Sequence, residues 1–232
     1  SAIVQAARGL RPARLGASSA EVKLNRNRHP KIEPKPVDRR LGVLRLDDLD
    51  GKPIALLVNF TAHPTTREAA LLKWSPDYPA ALRATVEKEM GGLCAFLQGA
   101  SGDQSAHRHD PETDASLDTD AFGAKVGEAS VRIARGITTV APEERSIKIR
   151  EEEFRFSSRI QLSDPSKYLL YCLAFLKDLV DVYVEEYREG VRPNITVALL
   201  CGEIGIVSAS GEFFASHAIR LRERARLPQL FF

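Results

Sequence analysis

Hydrophobic residues along the chain form short continuous runs, each bounded by glycine, proline or aspartate. One of them begins at Pro53 and passes into a polar loop that contains His63 and ends near Thr66. A run of this length between Gly51 and Pro64 is typical of a buried strand rather than a helix. Residues 41–47 form a second apolar run, and the turn at residues 48–51 predicts that the two strands pair as a hairpin.

Other apolar positions recur every three or four residues, which predicts helices. Tyr78, Leu82, Val86 and Met90 share one helical face, and glycines 91 and 92 end that helix. A second helix is predicted over residues 122–136. A third runs from Ser163 to about residue 190, and its stripe of aromatic and leucine side chains predicts a buried face.

The last third of the chain repeats the alternation of strands and helices. Residues 195–201 and 204–208 predict a second hairpin, and a helix follows with Ala218 inward and arginines 220, 222 and 224 outward. Glu212 lies between that hairpin and that helix. Strands that alternate with helices predict an α/β fold with a mixed sheet and flanking helices, as a single domain over residues 1–232. The chain begins without methionine and stops in an apolar segment, so we expect a fragment or a partly missing chain.

Charge, apolar segment length and cysteine spacing bear on which classes of function the sequence supports. The 232 residues carry 33 basic and 31 acidic side chains, a net charge of +2, which does not argue for a nucleic-acid or anionic-membrane partner. No apolar segment reaches the ~18 residues that predict a membrane span. The three cysteines are scattered, and two lie in apolar runs, so they predict neither a disulfide framework nor a zinc knuckle.

Three predicted strands end in loops that carry reactive side chains. The first ends at His63, the second enters a glycine loop with Asp103 and Ser105, and the third leads to Glu212. If these strands are neighbours, the imidazole and the carboxylate suit Zn²⁺, and the glycine loop suits an oxyanion. The pair His107 and His109 lacks the further ligands that a zinc site requires.

Five short motifs resemble those of the neutral/alkaline non-lysosomal ceramidase family, in the same order. They are Asn-Arg-His-Pro at 27–30, Leu-Gly-Val-Leu-Arg at 41–45, Asn-Phe-Thr-Ala-His at 59–63, Gly-Asp-Gln-Ser at 102–105 and Gly-Glu-Phe-Phe at 211–214. The resemblance covers the chain from about residue 25 onward and implies the fold of the catalytic domain of that family.

The resemblance also implies roles for single residues. His63 and Glu212 correspond to zinc ligands, and Ser105, with Asp103 in its motif, corresponds to the catalytic serine. Asn27 and Arg28 match an Asn-Arg pair that we expect at the substrate. The implied activity is zinc-dependent hydrolysis of a linear N-acyl amide in a small or lipid-like substrate.

Several residues depart from the family pattern. Pro64 follows His63 where relatives have glycine, Ser210 replaces a proline, and Ala106 follows the serine. These differences indicate a divergent, bacterial-type relative. A second zinc histidine has no counterpart, and the zinc tyrosine of the family would lie beyond Phe232. Relatives are often secreted or periplasmic, although nothing in this chain shows export.

Two other functions remain open from the sequence. A catalytically inactive relative would use the same loops to bind a lipid headgroup or a sugar. A metal-independent serine hydrolase would use Ser105 as its nucleophile, although no histidine in the sequence is evidently placed as its base.

Overall fold

The computed structural model describes residues 1–29, 31, 33–68, 70 and 72–232, so Pro30 of the Asn-Arg-His-Pro motif lies outside the described residues. The helices of the described residues are α1 Ala2–Arg8, α2 Tyr78–Met90, α3 Thr119–Arg135, α4 Pro165–Ala174, α5 Lys177–Glu186 and α6 Ala215–Arg224. The strands are β1 Arg14–Glu21, β2 Asn25–Asn27, β3 Arg40–Asp47, β4 Pro53–Phe60, β5 Leu93–Gln98, β6 Gln104–Ala106, β7 Ile147–Glu153, β8 Asn194–Leu200, β9 Ile204–Ala209 and β10 Gln229–Phe231.

The chain divides into two compact units, which we describe separately. The first contains Ser1–Ile149, Ala198–Val207 and Glu212–Phe232, and the second contains Arg150–Val197 and Ser208–Gly211. That residues 1–232 form one domain stays a prediction. Among the described residues, no helix combines the length and the apolar character needed to cross a membrane.

A mixed four-stranded sheet forms the centre of the first unit. Its strand order is β1-β3-β4-β5, with antiparallel pairing up to β4 and parallel pairing between β4 and β5. The β3–β4 hairpin is confirmed: Asp48 accepts hydrogen bonds from the amides of Asp50 and Lys52, and Gly51 has a φ of 84°. Helix α2 makes the crossover that parallel neighbours require. The predicted mixed α/β architecture is therefore confirmed.

The two faces of this sheet are covered differently. Leu56 and Val58 of β4 pack with Leu82 of α2 and Phe122 of α3 in the main core. Leu57, between them in sequence, contributes to a smaller cluster on Leu44, Ile204 and Phe231. This alternation follows from the two-residue period of a strand, and it gives the first unit helices on one face and strands on the other.

Helix α2 is held at the end of β4 by Tyr78. Its ring is fully buried, and its hydroxyl donates a 2.8 Å hydrogen bond to the carbonyl of Ala62, which precedes His63. Burial raises the pKa of this hydroxyl, so it stays protonated and remains a donor. A glycine lets α3 approach this residue closely, because a Cβ at Gly123 would lie 2.3 Å from the Tyr78 carbonyl oxygen.

A second sheet and a small ribbon complete the strands. The second sheet has the order β10-β9-β8-β7, with β10 parallel to β9, and β8 and β9 form the predicted hairpin. Its turn uses Cys201 and Gly202, both with positive φ. The ribbon pairs β2 with β6 antiparallel, so that Arg26 lies opposite Ser105.

Two predictions about local structure are wrong, and one strand is not predicted from the sequence. The single long helix from residue 163 is two helices, α4 and α5, separated by Phe175 and Leu176 in extended conformation. Its leucine stripe is not core, because Leu169, Leu173 and Leu176 are 60%, 78% and 80% exposed. Strand β1 is not predicted, because its sequence alternates only weakly between polar and apolar residues.

The second unit contains α4 and α5. The Tyr168 hydroxyl of α4 donates a hydrogen bond to the Asp181 carboxylate of α5, and Lys177 donates to the same carboxylate. These bonds raise the pKa of Tyr168 to about 12 and lower the pKa of Asp181. Polar bonds thus contribute to the packing of this helix pair.

Candidate active site

His63 lies just beyond β4, and its ring orientation is fixed by one backbone group. The Nδ1 atom is 2.6 Å from the carbonyl oxygen of Ser101. A carbonyl oxygen only accepts hydrogen bonds, so Nδ1 carries the proton of the neutral ring. The Nε2 atom is left with its lone pair. This is the tautomer and the backbone support that metal-binding histidines usually have.

The Nε2 atom of His63 faces Glu212. Its distance to Oε1 of that carboxylate is 3.5 Å, with His63 mostly buried and Glu212 mostly exposed. A lone pair and a carboxylate oxygen repel each other unless a proton or a cation lies between them. The structure therefore brings these two residues together across most of the sequence, in an arrangement that suits either an ion pair or a shared cation.

The Glu212 segment is tied to the glycine loop that follows β5. The amide of Gly102 donates to the carbonyl of Phe213 at 2.8 Å. A Cβ on Gly102 would lie 2.5 Å from the Glu212 carbonyl oxygen, so only glycine fits there. The loop that supplies the Ser101 carbonyl to His63 thus also sets the position of Glu212.

Asp103 joins the same loop to helix α6. Its buried carboxylate accepts hydrogen bonds from Asn27 Nδ2 at 2.7 Å, from the Ala215 amide at 2.8 Å and from Gln104 Nε2 at 3.1 Å. Asn27 also donates to the Pro36 carbonyl and accepts from the His29 amide. Both side chains are engaged within the protein, which supports a positioning role for each.

Arg28 places a cation beside the imidazole. Its Nη2 atom is 3.4 Å from His63 Nδ1 and 3.4 Å from the Gly102 carbonyl oxygen. Because Nδ1 already carries a proton directed at Ser101, the guanidinium is a neighbour of the ring rather than a donor to it. The exposed part of Arg28 remains available to a polar group of a ligand.

Ser105 is placed by two strands. It lies opposite Arg26 in the β2–β6 ribbon and forms a parallel bridge with His63, whose amide donates to the Gln104 carbonyl at 3.2 Å. Its side chain is half-buried, and its hydroxyl makes no hydrogen bond to any described residue. The backbone of Ser105 is therefore adjacent to that of His63, and the Ser105 hydroxyl has no hydrogen-bond partner among the described residues.

A buried polar cluster behind the site has no counterpart among the sequence predictions. Asp38 accepts a 3.0 Å hydrogen bond from Thr61 Oγ1 and pairs with Arg222 of α6. Asn25 donates to the carbonyls of Asp38 and Thr61 at 2.7 and 2.8 Å. The outward placement of Arg222 is wrong, because its side chain is only 14% exposed and its charge is matched by Asp38.

A set of three or more metal-binding side chains is absent from the part of the chain that the structure describes. The described donors toward a cation are therefore His63 Nε2 and Glu212 Oε1. The exposed rings of His107 and His109 lie 5.4 Å apart in a separate loop. The residues present fit part of a zinc coordination sphere, because they offer one imidazole and one carboxylate.

The fold is that of an α/β protein with a known structural counterpart. No protein-family model and no curated protein sequence matches the chain. Solved structures do match it, and two of them are ceramidases. One is a neutral ceramidase from Pseudomonas aeruginosa, with a TM-score of 0.69 and 19% identity over 99% of this chain and 46% of that chain.

The other solved structure is a ceramidase complexed with C2. Its TM-score is 0.68, with 16% identity over 99% of this chain and 47% of that chain. The chain thus spans less than half the length of either protein. The predicted resemblance to neutral ceramidases is confirmed as a likeness of fold.

Proposed function

We propose that the protein is a zinc-dependent amidohydrolase that cleaves a linear N-acyl amide bond in a lipid-like substrate. One observation carries this proposal: His63 presents the lone pair of Nε2 to the Glu212 carboxylate, 3.5 Å away. The likeness of fold to two ceramidases supports the reaction class, since their names denote cleavage of a lipid amide.

Each residue of the site has a role that its contacts support. His63 and Glu212 would hold Zn²⁺, and the Ser101 carbonyl would keep the imidazole in the metal-binding tautomer. When bound, Zn²⁺ supplies a Lewis acid for the amide carbonyl and lowers the pKa of water. Arg28 would orient a polar group of the substrate beside the ring.

Ser105 and Asp103 would act differently from one another. The free hydroxyl of Ser105 can donate to or accept from a substrate atom, because no described residue occupies it. Asp103 would position Asn27 and the start of α6 through its hydrogen bonds, and would not contact the substrate. Substitution of Ser105 should therefore affect turnover, whereas substitution of Asp103 should affect stability and metal content together.

Metal analysis of the purified protein tests the proposal. In the full-length protein we expect about one equivalent of zinc, which is lost in His63→Ala and in Glu212→Gln. His109→Ala is the matched control, since that histidine is exposed and lies in a separate loop. Metal-loaded protein should hydrolyse a fluorogenic N-acyl lipid amide, and a chelator should abolish turnover.

Three outcomes would overturn the proposal. Zinc content that is equal in the wild type and in both site variants would place the metal elsewhere. Protein that never takes up zinc but still binds lipid headgroups or sugars would be a binding domain. Turnover that resists chelators, with Ser105 labelled by a fluorophosphonate, would indicate a metal-independent serine hydrolase.

A further inference from the structure

Helices α4 and α5 of the second unit leave most of their large aliphatic side chains in solvent. Leu169, Leu170 and Leu173 on α4 are 60–78% exposed, and Leu179 and Val182 on α5 are 59% and 62% exposed. Val180 is buried, and the half-buried positions include Tyr168, Tyr171 and Tyr183. In water, such an arrangement leaves the most apolar surface of this helix pair without a partner among the described residues.

The charge pattern identifies what this surface contacts. Residues 168–176 contain no charged side chain, and Lys167 and Lys177 stand at the two ends of the run. At the join of the helices, Phe175 and Leu176 are 54% and 80% exposed. Apolar tips bounded by lysines and tyrosines are typical of segments that lie at a membrane surface, where aliphatic side chains enter the acyl region and polar groups meet the headgroups.

The dimensions favour a lipid surface over a second protein. A stable protein interface uses about 20–30 residues from each side, whereas the exposed large apolar residues described from Leu169 to Val182 number seven. Each helix has 10 residues, or roughly 15 Å, which is half of the hydrocarbon core and too short to cross it. The helices would therefore lie in the interface.

We propose that the α4–α5 tip, defined as residues 168–176, docks the protein on the surface of zwitterionic lipid bilayers. The second unit carries seven basic and nine acidic residues, so attraction to anionic headgroups does not drive the contact. Apolar insertion drives it. The proposal does not depend on the proposed amidohydrolase activity, because it concerns a surface outside the candidate active site.

Flotation with pure phosphatidylcholine vesicles tests this docking without any amide substrate. We expect the wild-type protein to float with the vesicles, with little change between low and high salt. The double variant Leu173→Asp and Leu176→Asp should bind roughly tenfold more weakly or worse, because each carboxylate would have to enter the acyl region. Ile3→Asp, at a residue that is 82% exposed on α1, is the matched control and should bind like the wild type.

A spectroscopic measurement covers the case in which the double variant does not fold. Trp74 is the only tryptophan, so Phe175→Trp in a Trp74→Phe background reports on the tip alone. Its emission should shift to shorter wavelength when phosphatidylcholine vesicles are added, as the indole leaves water.

Four results would overturn the docking proposal. These are no flotation of the wild type, equal flotation of the double variant, an unshifted emission of the Phe175→Trp variant, or binding to anionic vesicles alone that salt abolishes. Self-association in the absence of lipid, lost in the double variant, would assign the tip to a second copy of the chain instead. A loss of amidase activity with normal flotation would concern only the proposed function.

Discussion

The central sheet of the first unit and the helix pair of the second unit place large apolar side chains differently. In the first unit, Leu56, Val58 and Phe122 are fully buried between the sheet and two helices. In the second, Phe175 and Leu176 are more than half exposed. Hydrophobicity in the sequence therefore does not by itself decide burial. The first unit has two layers that cover each other, whereas the apolar face of α4 and α5 is without such a layer among the described residues.

Truncation of a large side chain should give the largest difference between the units. We expect Phe122→Ala to lower the free energy of unfolding by about 3–5 kcal/mol, because it leaves a cavity between α3 and the sheet. Phe175→Ala is the matched control in the second unit and should change it by less than about 0.5 kcal/mol. Urea unfolding measures both, and a large cost at Phe175 would mean that the tip is packed.

Two arginines of α6 differ in burial, so substituting them should change the stability of the fold by different amounts. Arg222→Met removes the ion-pair partner of the buried Asp38 carboxylate, which should cost about 3–5 kcal/mol. Arg220→Met changes an exposed residue on the same helix and should cost less than about 0.5 kcal/mol. Thermal unfolding of the two variants provides the comparison. Equal losses would show that Asp38 does not depend on Arg222.

A side chain at position 102 should lower both the stability of the fold and the zinc affinity of the candidate active site. Gly102→Ala forces a Cβ against the Glu212 carbonyl oxygen and should cost about 1–3 kcal/mol. It should also reduce zinc affinity by about 10–100-fold, as changes behind metal ligands do. Gly9→Ala, where the added Cβ meets no atom closer than 3.4 Å, is the control. Unchanged zinc content in folded Gly102→Ala would contradict the coupling.

Lowering the pH should have the smallest of these effects on stability, and the effect should arise in the second unit. The folded state lowers the pKa of Asp181 through its hydrogen bonds from Lys177 and Tyr168. Its contribution to stability is thus present above the unfolded pKa of about 4 and is lost as the pH falls through the lower folded value. The stability difference between wild type and Asp181→Asn, measured by urea unfolding, should shrink on acidification. A difference that grows below a pH of about 4 would contradict this sign.

Local sequence patterns predict the elements that are stabilised locally. The apolar run of β4, the four-residue spacing from Tyr78 to Met90 and the turn at Gly51 each lead to a confirmed element. The break between α4 and α5 has no proline or glycine to signal it, so the pattern predicts a continuous helix. Whether the leucines of this segment are buried or exposed depends on which other elements pack against it. A local sequence pattern does not contain that information.

The sequence predicts only some residues of the candidate active site. The motifs select His63 and Glu212, and the structure places them together, although their roles as metal ligands stay a prediction. Asp38 and Arg222, which are 184 residues apart, give no signal because neither lies in a recognisable motif. Asp103 looks reactive in its loop, while its bond to Asn27 becomes visible only in three dimensions.

The late position of Glu212 has a consequence for synthesis of the protein. Strands β1, β3, β4 and β5 and helices α2 and α3 are all complete by residue 135, and they contain most of the main core. A ribosome would release this part long before Glu212 and α6 emerge. The nascent chain can thus fold around a lone imidazole, and the carboxylate that faces this ring would arrive only when translation reaches the segment just before α6.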